Sequence, residues 1–235
     1  MAQLSKTEQV VNEMDRYGID IVVLSDVRWT GEGGQILEKG VHSGTEKKRK
    51  AGAAMILSKS SSRVLTSSTP INKRIIEARL TGQQAKLTAV TCYTPIKDAD
   101  NSIKGSFYNT LQAVAKDIPS HDLVCFVSTF NAKVRSDESY CPEVLGSHYL
   151  SEVNENGSLF VDFALTNDVI IGEILFQHKR IHKYLWNSTD GPTHNKIDHI
   201  LIGRKCKSSL HDVRGHRGAD ITSDYALMIA NSPSS

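Results

Sequence analysis

The sequence has no run of about twenty apolar residues and no charged-then-apolar leader, so neither a membrane span nor a secretory signal is read from it. Paired cysteine motifs are missing too. Cys92, Cys125, Cys141 and Cys206 stand far apart with no Cys-x-x-Cys spacing, and two of them fall inside apolar runs, the usage expected of a reduced, intracellular chain. Nor is there a large excess of one charge. A formal net charge of +2 and a pI near 8.3 are too mild to argue for a polyanion partner, so any nucleic-acid signal has to come from local placement.

What is present is enough for one sizeable core. At 235 residues and 39% apolar composition, with no compositional break, the chain reads as a single domain with a core over 8–230 and a disordered tail over 231–235. Ser5-Lys-Thr-Glu8 has the form of a capping box, followed by Val10, Val11, Met14 and Tyr17 at helical spacing and by Gly18 as a stop. Residues 19–25 form a short apolar run that ends at Asp26, as expected of a buried strand with a polar tip. Further strand-like runs fall at 51–57, 74–80, 86–93, 123–127, 169–175, 196–202 and 226–230. Helical periodicity covers 102–118, and a shorter helix is expected over 159–165 after a turn at 154–157. About eight strands with few helices suggest two packed sheets with helices outside.

Residues 44–52 carry Lys47, Lys48, Arg49 and Lys50 in succession between glycines. A solvated hairpin loop and a phosphate-contacting loop are equally compatible with that run, because four cations near one groove would add salt-dependent affinity. The run also matches a short, common nuclear-import pattern, and the sequence leaves nucleus and cytoplasm open.

Five segments place polar groups at strand ends: Leu24-Ser-Asp-Val-Arg-Trp29, Cys92-Tyr-Thr-Pro95, Ser128-Thr-Phe-Asn131, Lys196-Ile-Asp-His199 and Thr222-Ser-Asp-Tyr225. Their order resembles the endonuclease/exonuclease/phosphatase superfamily. With Asn154-Glu-Asn-Gly157, His178-Lys-Arg-Ile-His182-Lys, Trp186-Asn-Ser-Thr-Asp-Gly191 and residues 212–220, the chain is similar to the apurinic-type endonuclease domain of LINE retrotransposons, in particular the RTE clade. The resemblance implies a DNase I-like four-layered α/β sandwich, two mixed β-sheets flanked by helices, and Mg²⁺- or Mn²⁺-assisted attack of water on a DNA phosphodiester.

Carried over residue by residue, it implies that Tyr93 donates to the phosphate, Asn131 orients the nucleophile, Asp198 would orient a histidine, and Asp26 stands where the family has a metal-binding glutamate. The departures follow the same positions. Thr129 replaces the carboxylate that activates water in the family's Gly-Asp-Phe-Asn turn, and a threonine hydroxyl neither takes a proton at neutral pH nor offers a metal an anionic oxygen. Tyr225, after Asp224, replaces the site histidine and cannot present an imidazolium. Asp26 is one methylene shorter, which weakens a Mg²⁺ site that needs oxygens at about 2.0 to 2.1 Å. The family's first strand has no counterpart before Ser5. Arg28, Trp186 and Arg217, with the basic run, are the expected nucleic-acid contacts, although a tryptophan beside strands is more often core or rim packing and the arginines equally fit surface ion pairs.

The expectation is a catalytically degenerate domain kept as a binding or interaction module, with an unidentified protein partner, at most weak DNA binding and weak Mg²⁺ or Mn²⁺ binding. The alternative is a residual divalent-metal endonuclease.

Overall fold

The structure is a computed structural model that describes residues 2–25, 33–37, 40–43, 52–134, 154–172, 175, 186–187, 194–195, 198–209, 212–216 and 227–231. Helix α1 (Ala2–Tyr17) opens the chain. It ends where expected: Gly18 takes a φ of +63°, and the Ile19 N–H donates to the Met14 carbonyl at 2.8 Å, closing the last turn. Its start differs from the capping-box reading. Ala2, Gln3 and Leu4 are strong helix formers and carry the helix past Ser5, which lies inside it.

Strands β1 (Ile21–Ser25), β2 (Gly33–Leu37), β3 (Gly40–Ser43) and β4 (Ala53–Leu57) make an antiparallel sheet in the order β1-β4-β3-β2. A short helix α2 (Lys59–Arg63), capped by Ser58, leads to β5 (Leu65–Asn72), β6 (Ile75–Thr81) and β7 (Lys86–Tyr93). Helix α3 (Asn101–Asp117) is capped by Asp100 and crosses over to β8 (Leu123–Thr129), and α4 (Glu155–Thr166) follows. Strand β9 (Val169–Ile171), the ribbon β10 (Trp186–Asn187) with β11 (His194–Asn195), β12 (Asp198–Gly203), and the pair β13 (Asp212–His216) with β14 (Leu227–Asn231) complete the described elements.

The second sheet has six strands in the order β5-β6-β7-β8-β12-β9, and it is mixed because β7 and β8 run parallel while its other neighbours are antiparallel. Period-2 alternation then builds the layers. On β4, Ile56 packs with Val10, Met14 and Val22 under α1, whereas Met55 and Leu57 pack against Ala78, Leu80 and Ala89 of the second sheet. The other face of that sheet, with Ile75, Val90, Cys92 and Phe126, is covered by Phe107, Leu111 and Val114 of α3 and by Phe160 and Phe163 of α4. The result is the expected helix, sheet, sheet, helix stack.

Two boundaries are corrected. The helix expected over 159–165 begins at Glu155, because the Asn154 side chain caps it. Asn231, expected to open a disordered tail, instead pairs with Asp212 in the last strand, and 232–235 lie outside the described residues. No helix among the described residues is long and apolar enough to cross a membrane.

One ion pair ties the sheet to the loop entering β8. Asp122 is fully buried and takes two bonds from Arg79, Nε at 2.7 Å and Nη2 at 3.0 Å, and a third from the Thr88 hydroxyl at 2.8 Å. The hydrogen bond from Arg79 holds its carboxyl below the usual carboxylate range against the opposing cost of burial, and Thr88 adds to it. With the folded value depressed, the stabilisation is complete above the unfolded carboxylate value near ~3.9 and is lost as pH falls through the folded one. Urea midpoints measured from pH 6 downward should therefore fall more steeply in the wild type than in Asp122→Asn. Equal slopes would remove this pair from the acid sensitivity.

Candidate functional site

Three chain ends meet at one edge of the six-stranded sheet. Parallel pairing of β7 and β8 brings Tyr93 opposite Thr129, and antiparallel pairing of β8 with β12 brings Asp198 opposite Thr129 on its other side. Cross-strand partners share a sheet face, so Tyr93, Thr129 and Asp198 form one row with Thr129 at its centre. The three motifs that carry these residues are thus brought together. For Asp198 the register is known, and its side chain is outside the described residues.

Thr129 is only 7% exposed, and its carbonyl accepts from the Thr94 N–H at 3.2 Å. Tyr93 is fixed from the β6 side: its N–H donates to the Arg74 carbonyl at 2.9 Å, its own carbonyl accepts from Arg74 Nη1 at 3.1 Å, and the guanidinium lies 5.2 Å from the ring centroid. Beyond Thr129, Phe130 turns inward to the rings of Phe160 at 4.5 Å and His199 at 6.4 Å. His199 is buried, with Nε2 3.0 Å from the Ala132 carbonyl. A carbonyl only accepts, so Nε2 carries the proton in this bond.

Asn131 has a φ of +49°, a left-handed conformation that asparagine tolerates better than most residues. Its Nδ2 donates to the Thr94 carbonyl at 3.1 Å, and its carbonyl receives Nδ2 of Asn154 at 3.0 Å and Nδ2 of Asn156 at 3.5 Å. Asn154 does two jobs at once. Its Oδ1 accepts the Gly157 N–H at 2.8 Å, capping α4, and the Lys133 N–H at 2.9 Å, so the helix start and the turn after β8 are one unit. Gly157 allows this closeness: a Cβ there would lie 2.0 Å from the Lys133 carbonyl oxygen. Asn156 Nδ2 also reaches the Pro95 carbonyl at 3.1 Å, linking the turn to the segment after Tyr93.

Arg74, Asn156 and His199 were not among the residues singled out as forming the site. Asn154 to Gly157 reads in sequence as a turn, although an asparagine three residues before a glycine and just ahead of an apolar periodic stretch is also an N-cap pattern that could have found the clamp. Asp26, Arg28, Lys47, Lys48, Arg49, Lys50, Arg217, Asp224 and Tyr225 lie outside the described residues, and Trp186 is placed only by its backbone pairing with Asn195.

The described side chains of this edge, Tyr93, Thr129 and Asn131, are all uncharged. The carboxylates that a Mg²⁺ or Mn²⁺ ion would draw on, those of Asp26, Asp198 and Asp224, have side chains outside the described residues. No cluster of three potential ligands occurs among the described residues.

Over 229 residues, 96% of its length, the chain is 32% identical to craniofacial development protein 2 from Tragulus javanicus and to the same protein from Bos taurus. It is a homologue of craniofacial development protein 2. The chain spans about two-fifths of the length of those relatives, 39% and 38% respectively. No protein-family model matches. Among solved structures it superposes on a 3′-5′ exonuclease from Neisseria meningitidis with a TM-score of 0.71 at 18% identity, covering 97% of this chain and 94% of that one. The endonuclease domain of TRAS1, a telomere-specific non-LTR retrotransposon, gives 0.66 at 14% identity over 97% and 92%. The AP endonuclease LMAP from Leishmania major gives 0.68 at 9% identity over 94% and 80%. At these identities the likeness establishes the fold, that of DNase I-like nucleases. The chain has a DNase I-like fold, with a threonine at the centre of the row formed by Tyr93, Thr129 and Asp198.

Asn154→Ala removes the cap and should lower stability by about 1 kcal/mol in urea titrations. Gly157→Ala should cost more, because the turn must open around the new Cβ. A Gly157→Ala protein as stable as wild type would contradict the coupling of α4 to the Asn131 turn.

Proposed function

We propose that this domain is a catalytically degenerate nuclease fold that acts as a binding or interaction module, within an intracellular protein. The observation that carries the reading is Thr129, which stands at the centre of the row between Tyr93 and Asp198, the position where the family resemblance has its water-activating aspartate. A neutral hydroxyl there supplies neither a general base nor an anionic metal ligand. Loss of one general base alone costs about 10² to 10⁴ in rate, and in this reading Tyr225 and the shortened Asp26 compound that loss.

Support for the binding role comes from the frame itself. The Asn131 turn, the α4 cap and the Arg74–Tyr93 contact are all formed. In this proposal Tyr93 and Asn131 keep positions suited to a phosphate group, Asp198 keeps the place of the aspartate that would orient a histidine, and Arg28, Trp186, Arg217 and the run from Lys47 to Lys50 are auxiliary DNA contacts. DNA affinity should be weak and should fall as salt rises. An unidentified protein partner belongs to the same proposal.

The test is cleavage of supercoiled plasmid and of an abasic-site duplex in Mg²⁺ and in Mn²⁺, with Asp26→Ala alongside. No cleavage above the level of the Asp26→Ala protein is expected in either metal. Cleavage by the wild type that disappears in Asp26→Ala would overturn the proposal in favour of a residual metal-dependent endonuclease.

A further inference from the structure

We propose that the groove between the β5–β6 turn and α3 docks a peptide segment of a protein partner that combines acidic residues with a bulky apolar side chain. The groove is open, about 1000 Å³ in volume, with Ile71, Lys73 and Arg74 on one wall, Pro95 at its end, and Ile103 and Phe107 from α3 on the other. Ile71 and Ile103 are 38% and 52% exposed, and Ile96, just past Pro95, is 55% exposed. Only five large hydrophobic side chains are exposed among the described residues, and two of them, Ile71 and Ile103, line this one groove, with Ile96 adjoining Pro95 in the chain. An apolar concentration of this kind marks an interaction surface rather than scattered surface residues.

Charge selects the partner. Every charged residue lining the groove, Lys73 and Arg74, is cationic. Arg74 is held in place by the Tyr93 carbonyl and ring, so little side-chain entropy remains to be lost when an anion arrives. Facing isoleucines reward insertion of an apolar side chain, while flanking carboxylates meet Lys73 and Arg74. A nucleic-acid strand fits less well. It draws its affinity from many phosphate contacts and from stacking on exposed aromatic faces, and Phe107, the aromatic residue of this groove, is only 5% exposed.

The inference gives the binding role above a partner chemistry and rests on that role, but the two fail separately. Plasmid cleavage reads the row around Thr129, and peptide binding reads the groove. Panning a random peptide library on the full chain should enrich sequences with acidic residues beside Leu, Ile or Phe. Labelled copies of those peptides should bind about tenfold more weakly to Lys73→Glu and to Ile103→Asp. Ile103 is exposed in the first turn of α3, where aspartate is well tolerated, so the thermal melt of Ile103→Asp should match wild type.

Absence of enrichment, or peptides indifferent to both substitutions, would overturn the proposal. So would a labelled single-stranded oligonucleotide that loses affinity in Lys73→Glu while no peptide binds, which would assign the groove to nucleic acid. A concentration-dependent dimer in sedimentation that is abolished by Ile103→Asp would assign it to a second copy of this chain.

Discussion

The parallel pairing of β7 with β8 is the constraint on which the rest depends. It is the one parallel pair in the six-stranded sheet, and α3 makes the crossover that it requires. Because both strands finish at the same edge, the segments after Tyr93 and after Thr129 run side by side. There Thr94 donates to Thr129, and Asn131 donates back to Thr94. Antiparallel β12 then delivers Asp198 to the same row. A one-residue slip of β8 would turn Thr129 to the opposite face and move Phe130 out of its pocket against Phe160.

The packing around that edge explains how a fold can persist when its chemistry changes. Phe130, Phe160 and His199 fill the space beneath the turn, and the Asn154 cap fixes it from the α4 side. None of these interactions uses the Thr129 hydroxyl. Under the proposed degeneracy, a neutral side chain at that row leaves these ring contacts and the α4 cap in place, and it spares a nearly buried site the cost of an anion. Scaffold and reagent are separable in that proposal.

Much of this was legible in the sequence, for identifiable reasons. Strand β7 matches its sequence run residue for residue, because Lys86 to Tyr93 is rich in apolar and β-branched residues, and the helix stop at Gly18 follows from the left-handed conformation that glycine tolerates. The run at 169–175 was read too long: its strand ends at Ile171, and an apolar run alone does not separate strand from turn. Strands β2, β3 and β5 were missed. Their glycines, serines and threonines carry little hydrophobic signal, and they become strands through pairing, β2 with β3, β3 with β4 and β5 with β6. At the site, the order of the motifs pointed to Tyr93, Thr129, Asn131 and Asp198. It could not reveal the clamps from Arg74, Asn154 and Asn156, because those depend on contacts between segments distant in the chain.

In the proposed reading the frame is competent and the reagents are missing. Putting them back tests it: a Thr129→Asp, Tyr225→His double substitution, assayed for plasmid nicking in Mn²⁺ beside the wild type. Nicking by the double variant and none by the parent chain is expected. A folded double variant that stays inert would contradict the claim and place the loss in Asp26 or in the frame itself.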